Sequence, residues 1–146
     1  MLRKIYFGLF FAALLSVPSI FAQSVYTPEK GSAERAAIFN TLRAPIEKKL
    51  KQKVQFAGQT FKVQGNWAFI FGDLQNSSGG RPNYKGTEYQ EAIDNGAFDS
   101  NFQVLLRKQN GKWKVVTYLI GCTDVCYLSW ADDYKAPKAI FRPNSR

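Results

Sequence analysis

Two cysteines and no histidine set the chemistry open to this chain. Without an imidazole there is no Ser-His-Asp or Cys-His triad, no histidine-ligated zinc, and no histidine general base or pH switch. Cys122 and Cys126 bracket Thr123-Asp124-Val125. In an oxidising compartment an isolated pair of this kind is read as a disulfide. Bridging needs Cα atoms no more than about 7 Å apart, whereas an extended run of this length holds its ends roughly 13 Å apart. The segment must therefore turn, and Gly121 and Asp124 are turn formers in suitable places. A redox dithiol is the sharper alternative. However, C-x-x-x-C is not the thioredoxin-like C-x-x-C, and no helix N-terminus clearly follows the first cysteine. Two thiolates without histidine make a poor metal set, so no metal site is expected.

Paired carboxylates are the catalytic device left to a chain without histidine. Glu88, Glu91 and Asp94 share a face if residues 88–95 are helical, and Asp132 and Asp133 are adjacent and point apart. Neither set has the isolated, buried placement that raises a carboxylate pKa. Both read as solvated faces, and no catalytic residue is assigned. Gly79-Gly80 and Lys85-Gly86-Thr87 do not meet the phosphate-loop pattern GxxxxGK[ST], and no EF-hand spacing is present. No cofactor is expected.

The charge balance is the next signal. Lys and Arg number 20 against 11 acidic residues in 146, a formal +9. Residues 1–22 read as a secretory signal peptide: Arg3 and Lys4, an apolar run from Ile5 to Val17, then Ala22 before a polar stretch. The run is shorter than the about 20 residues of a spanning helix. Cleavage is expected after Ala22, although Ile20 departs from A-x-A and allows a shift of a residue or two. Removing Arg3 and Lys4 leaves +7 on residues 23–146, read as one domain. No transmembrane segment is expected in that mature chain, and its location is periplasmic or secreted.

Two surfaces are candidates for binding. One is a basic patch of Lys48, Lys49, Lys51 and Lys53 at the C-terminal end of a helix, where cations complement the dipole, on a polar face that also carries Arg35 and Arg43. The other is the contact loop of Arg81, Tyr84 and Lys85 within the polar, glycine-rich stretch from Gln75 to Thr87. Trp67, Phe69, Phe71 and Trp113 fall at alternating, core-like positions rather than interleaving with the cations. Specific nucleic-acid recognition is therefore not expected. A partner protein or an anionic envelope polymer is.

The elements that must position these groups follow from periodicity. Ser32 is an N-cap, and Ile38, Leu42, Ile46 and Leu50 recur every four residues as one amphipathic stripe. Pro45 should kink that helix or split it near Arg43-Ala44. From Val54 the period becomes two. Gly65-Asn66 separates Val54–Gln64 from Trp67–Phe71 as a hairpin. A three-residue loop, pairing Val63 with Trp67 and Phe61 with Phe69, is preferred over a two-residue turn because it gathers the large apolar groups on one face. Residues 88–95 form a short helix or an extended excursion. Asn110-Gly111 predicts a type I′ hairpin with Leu106 facing Val115, Val104 facing Thr117 and Phe102 facing Leu119. Tyr127–Tyr134 is a short helical segment whose aromatics are placed to cover part of the second sheet face. The expected class is α+β: an N-terminal kinked helix on a curved antiparallel sheet of about four strands in two hairpins, with a short C-terminal helical segment.

Glu34-Arg35-Ala36-Ala37-Ile38 through Leu42-Arg43, Gly65-Asn66-Trp67-Ala68-Phe69 and Gly111-Lys112-Trp113-Lys114-Val115-Val116 stand together with Thr123-Asp124-Val125 and Trp130. In these segments the chain resembles a group of small exported bacterial proteins of unknown function. The resemblance covers most of the mature chain and implies an exported bacterial domain, with no activity attached. The order of elements is similar to that of cystatin-like and nuclear-transport-factor-like folds, an analogy of architecture alone. The Q-x-V-x-G loop of inhibitory cystatins is absent, since Gln52-Lys53-Val54-Gln55-Phe56 has Phe where Gly is needed.

The functional expectation is a non-enzymatic exported domain that binds a partner protein or an anionic envelope component, as an inhibitor, immunity-type or accessory protein. The alternative is a small-molecule-binding or enzymatic domain with a pocket between helix and sheet, lined by Tyr118, Asp73 or Asp99. A structural envelope component is the third reading.

Overall fold

The computed structural model describes residues 23–142; the expected signal peptide lies outside them. The order of elements is α1 (Ala33–Leu50), β1 (Val54–Gln64), β2 (Trp67–Asn76), α2 (Gln90–Asp94), β3 (Asn101–Gln109), β4 (Lys112–Ile120), α3 (Trp130–Asp133) and a 3-10 turn (Lys138–Phe141). The four strands form one antiparallel sheet in sequence order. A single antiparallel bridge, Tyr26 to Val63, adds a further lane at the β1 edge. The chain is an α+β domain, as its periodicity predicts.

Helix α1 begins where the Ser32 side chain accepts the Arg35 N–H, and it ends where Lys51 turns into the left-handed region at φ 56°. It buries Ile38, Leu42, Ile46 and Leu50 on the sheet. Pro45 sits inside this one helix and does not split it. A proline in a helix interior costs about 3 kcal/mol. Full burial of Leu42 and Ile46, one on each side of it, returns about 1.5–3 kcal/mol apiece. The continuous apolar stripe outweighs the missing backbone bond.

The first hairpin corrects the expected register. Gln64 faces Trp67, Val63 faces Ala68, Lys62 faces Phe69 and Phe61 faces Ile70. The turn is therefore the two residues Gly65 and Asn66, with Gly65 supplying a φ of 58°. The three-residue loop assumed one covered face, but the sheet is covered on both. Phe61, Val63, Ala68 and Ile70 pack under α1. Trp67, Phe69 and Phe71 pack on the other side with Leu105, Tyr127, Trp130, Ile140 and Phe141. A bulge between Gly58 and Thr60 switches the alternation in β1. It puts Val54 and Phe56 on the same helix-facing side as Phe61 and Val63.

The second hairpin forms at the expected turn, with Asn110 at φ 50° and Gly111 at φ 75°, the two positive values that a type I′ turn requires. Leu106 faces Val115 as expected, but a bulge then intervenes, so Val104 faces Tyr118 and Phe102 faces Ile120. The bulge turns Tyr118 and Ile120 towards α1 and leaves Leu119 exposed. Strand β3 lies inside the sheet and carries five successive buried residues, Phe102–Leu106. Such a run marks a strand covered on both faces. The C-terminal segment supplies the second cover, with only Trp130–Asp133 of the predicted 127–134 helical. Within residues 88–95 the chain forms the short helix α2, Gln90–Asp94.

Candidate functional site

Cys122 and Cys126 are joined by a disulfide, with Cα atoms 6.4 Å apart, inside the limit the turn had to satisfy. The bridged loop lies over the end of β3, where Asn101 Nδ2 donates to the Cys122 carbonyl at 2.6 Å. It joins β4 to the segment covering the second face.

Of the candidate loop residues Arg81, Tyr84 and Lys85, Arg81 and Lys85 are exposed but Tyr84 is not on the surface. Tyr84 is 4% exposed and belongs to the core under α1. Its ring packs edge-on to Phe98 at 4.7 Å and to Tyr89 at 6.0 Å. The Arg81 guanidinium lies 5.7 Å from both the Tyr84 and the Phe98 rings. Arg81 remains exposed while it caps these rings, and Lys85 is exposed away from them. Tyr84 sits in a polar, glycine-rich stretch, so local composition hid an anchor that packs against Tyr89 and Phe98 in the segment that follows.

The basic patch divides in two. Lys49 Nζ meets Glu88 Oε1 at 2.6 Å and lies over the Tyr89 and Tyr118 rings. Lys53 Nζ meets Glu47 Oε2 at 2.9 Å. Lys48 and Lys51 are exposed and have no carboxylate partner among the described residues. Half the patch is thus neutralised at its own surface.

The residues of the pocket reading do not come together. Asp73 and Asp99 are exposed. Tyr118 borders a gap of about 110 Å³ with Leu42, Pro45 and Val104, in which no water-sized sphere fits. Glu88 and Glu91 are exposed, Asp94 takes a hydrogen bond from Gln90 Nε2 at 2.7 Å, and Asp132 pairs with Lys138. Among the described residues no group of three cysteine or carboxylate side chains is placed to hold a metal ion. No helix there is long and apolar enough to cross a membrane.

What the fold does assemble is a groove of about 450 Å³ between the N-terminal half of α1 and the start of β1. Arg35, Phe39 and Arg43 line its helix wall, four residues apart and so on one face. Phe56 and Gln55 form the strand wall, and Ser32 and Asn40 add polar groups. No acidic side chain lines it.

Both guanidiniums rest on rings. Arg35 lies 4.8 Å over Phe61 and 5.2 Å over Phe39, and Arg43 lies 5.7 Å over Phe56. Such stacking restrains a long side chain and leaves its N–H fork available. Arg35 Nη1 donates to the Pro28 carbonyl at 3.0 Å, and Arg43 Nη1 to Asn40 Oδ1 at 2.7 Å. These use one N–H of the five each guanidinium has. Glu34, the acid closest in sequence, instead accepts the Tyr26 hydroxyl at 2.9 Å. Burial first, then this bond, pushes the Tyr26 pKa up to about 12.

Sequence reasoning counted Arg35 and Arg43 as part of a general basic face and missed the groove. The available signal was arginine, rather than lysine, interleaved with phenylalanine at helical spacing. No protein-family model, no curated protein and no solved structure matches this chain.

Proposed function

We propose that this chain is an exported, non-enzymatic domain that binds an anionic partner through the α1–β1 groove. The observation that carries the reading is the groove's lining: two ring-stacked arginines and no acidic side chain among the lining residues, with Glu47, outside the lining, 3.9 Å from Arg43 Nε. Guanidinium is the side chain best suited to bidentate recognition of carboxylate or phosphate. The exposed Lys48 and Lys51 extend the positive field along the same helix and favour encounter with an anion. The leader and the disulfide support an oxidising, extracytoplasmic location. The filled space between helix and sheet lends no support to a small-molecule pocket there.

The test is titration of labelled poly-L-glutamate into the oxidised chain beginning at Gln23. The Arg35→Gln/Arg43→Gln variant and an Arg107→Gln/Lys114→Gln control would be titrated at low and at moderate salt. The groove variant should lose most of the binding, while the control, with the same charge removed from the far end of the sheet, should retain it. Equal losses in both variants would show that net charge alone attracts the polymer and would overturn the groove reading. A mature N-terminus at Gln23 on the exported protein, read by intact mass, tests the location.

A further inference from the structure

The groove borders an open strand edge. Strand β1 is one of the two outer strands of the sheet. At one end of its free edge the chain pairs with itself: Tyr26 N donates to the Val63 carbonyl at 2.9 Å, and Val63 N to the Tyr26 carbonyl at 2.8 Å. Thr27 Oγ1 adds a hydrogen bond to the Phe61 carbonyl at 2.7 Å. At Pro28 this lead-in leaves the edge, and Ser32 N closes a turn onto the Glu29 carbonyl before α1 starts. At the other end the Val54 N–H points outward to Glu47 Oε1 at 3.2 Å. Alternation along a strand then directs the backbone groups of Phe56 and Gly58 to the same outer side. Among the described residues no segment pairs with them there. The open stretch is short, bounded at both ends and flanked by Arg35, Phe39 and Arg43.

Resting on the anionic-partner reading above, we infer that the groove takes an extended acidic peptide as an added strand, paired to Phe56 and Gly58 and read by Arg35 and Arg43. An exposed edge is a template for such addition, in which main-chain bonds supply affinity and alternate side chains supply specificity. The spacing sets the motif. Arg35 and Arg43 are eight residues apart, roughly 12 Å along a helix axis. Same-side residues four apart in a strand span roughly 13 Å. The matching peptide therefore carries acids at its first and fifth positions. Its third residue falls between them, over Phe39, where an apolar side chain fits. The Tyr26 lead-in already shows that this edge accepts a strand and sets the line that the peptide would continue.

The test uses acetyl-Glu-Thr-Val-Thr-Glu-amide, followed by amide chemical shifts and exchange on the oxidised chain from Gln23. Three controls accompany it: the same peptide with N-methyl groups on alternate amides, the analogue with lysine at both ends, and the Arg35→Gln/Arg43→Gln variant checked for folding by circular dichroism. Binding should slow exchange at Phe56 and Gly58. N-methylation should weaken it by roughly tenfold or more, the cost of about two hydrogen bonds. The lysine analogue should not bind. If the N-methylated peptide binds as well as the parent, strand addition is overturned while the anionic reading stands. If neither peptide binds but poly-L-glutamate does, the groove takes anions without a strand and this inference fails. If poly-L-glutamate also fails, the functional reading falls with it.

Discussion

Glu47 and Val54 tie the end of α1 to the start of β1: Glu47 Oε1 accepts the Val54 N–H at 3.2 Å. The other oxygen holds Lys53 at 2.9 Å, and Arg43 Nε stands 3.9 Å from Oε1. One largely covered carboxylate thus closes the strand edge beside the groove and offsets two cations. The Lys53 hydrogen bond pulls the Glu47 pKa below its ordinary 4.5; partial burial opposes that pull without cancelling it.

A depressed folded pKa means that the carboxylate's contribution is present above pH 4.5 and is lost as pH falls through the lower folded value. Glu47→Gln should therefore lower stability by about 1 kcal/mol at neutral pH. Urea melts of the two proteins should converge as the solution is acidified below pH 4.5. A gap that persists unchanged in acid would mean that the charge contributes nothing.

The β1 bulge brings backbone close to Gly72. A Cβ there would run into the Ala57 carbonyl and the Gly58 Cα, atoms that cannot move without breaking the pairing. Gly72→Ala should cost about 3 kcal/mol or more. Gly58→Ala, whose new methyl would meet only Ile70 Cγ2 at 3.9 Å, should cost far less. Thermal midpoints of both variants check this, and equal shifts would contradict the register at the bulge.

The disulfide closes a short loop, and loop-closure entropy assigns it about 2 kcal/mol. The purified mature protein should carry no free thiol and weigh two hydrogens less than its reduced form. The Cys122→Ser/Cys126→Ser variant should lose that stability while keeping its sheet. Its amide exchange should rise over residues 122–142, which place Tyr127, Trp130, Ile140 and Phe141 on the second face. A rise spread evenly over α1 and β1 would show that the bridge supports the whole core instead.

Near-neighbour chemistry was enough for much of this fold. The four-residue stripe from Ile38 to Leu50, the Ser32 cap, the Asn110-Gly111 turn and the Cys122–Cys126 pair are each set by residues within a few positions of one another. All of them stand in the structure. Side-chain period, capping and turn conformation act locally, so a sequence displays them directly. What the chain does with its two sheet faces is not local. The Gly65-Asn66 turn, the bulges at residues 59 and 116 and the flip of Tyr118 follow from covering both faces, one by α1 and the other by a segment some sixty residues further on. Shifting a strand by one residue exchanges its faces, so the register depends on where distant cover arrives. The same reason governs the site. Tyr84 looked like a loop contact until Phe98 and Tyr89 buried it, and Arg35 and Arg43 looked like a solvated face until β1 brought Phe56 and Phe61 beneath them.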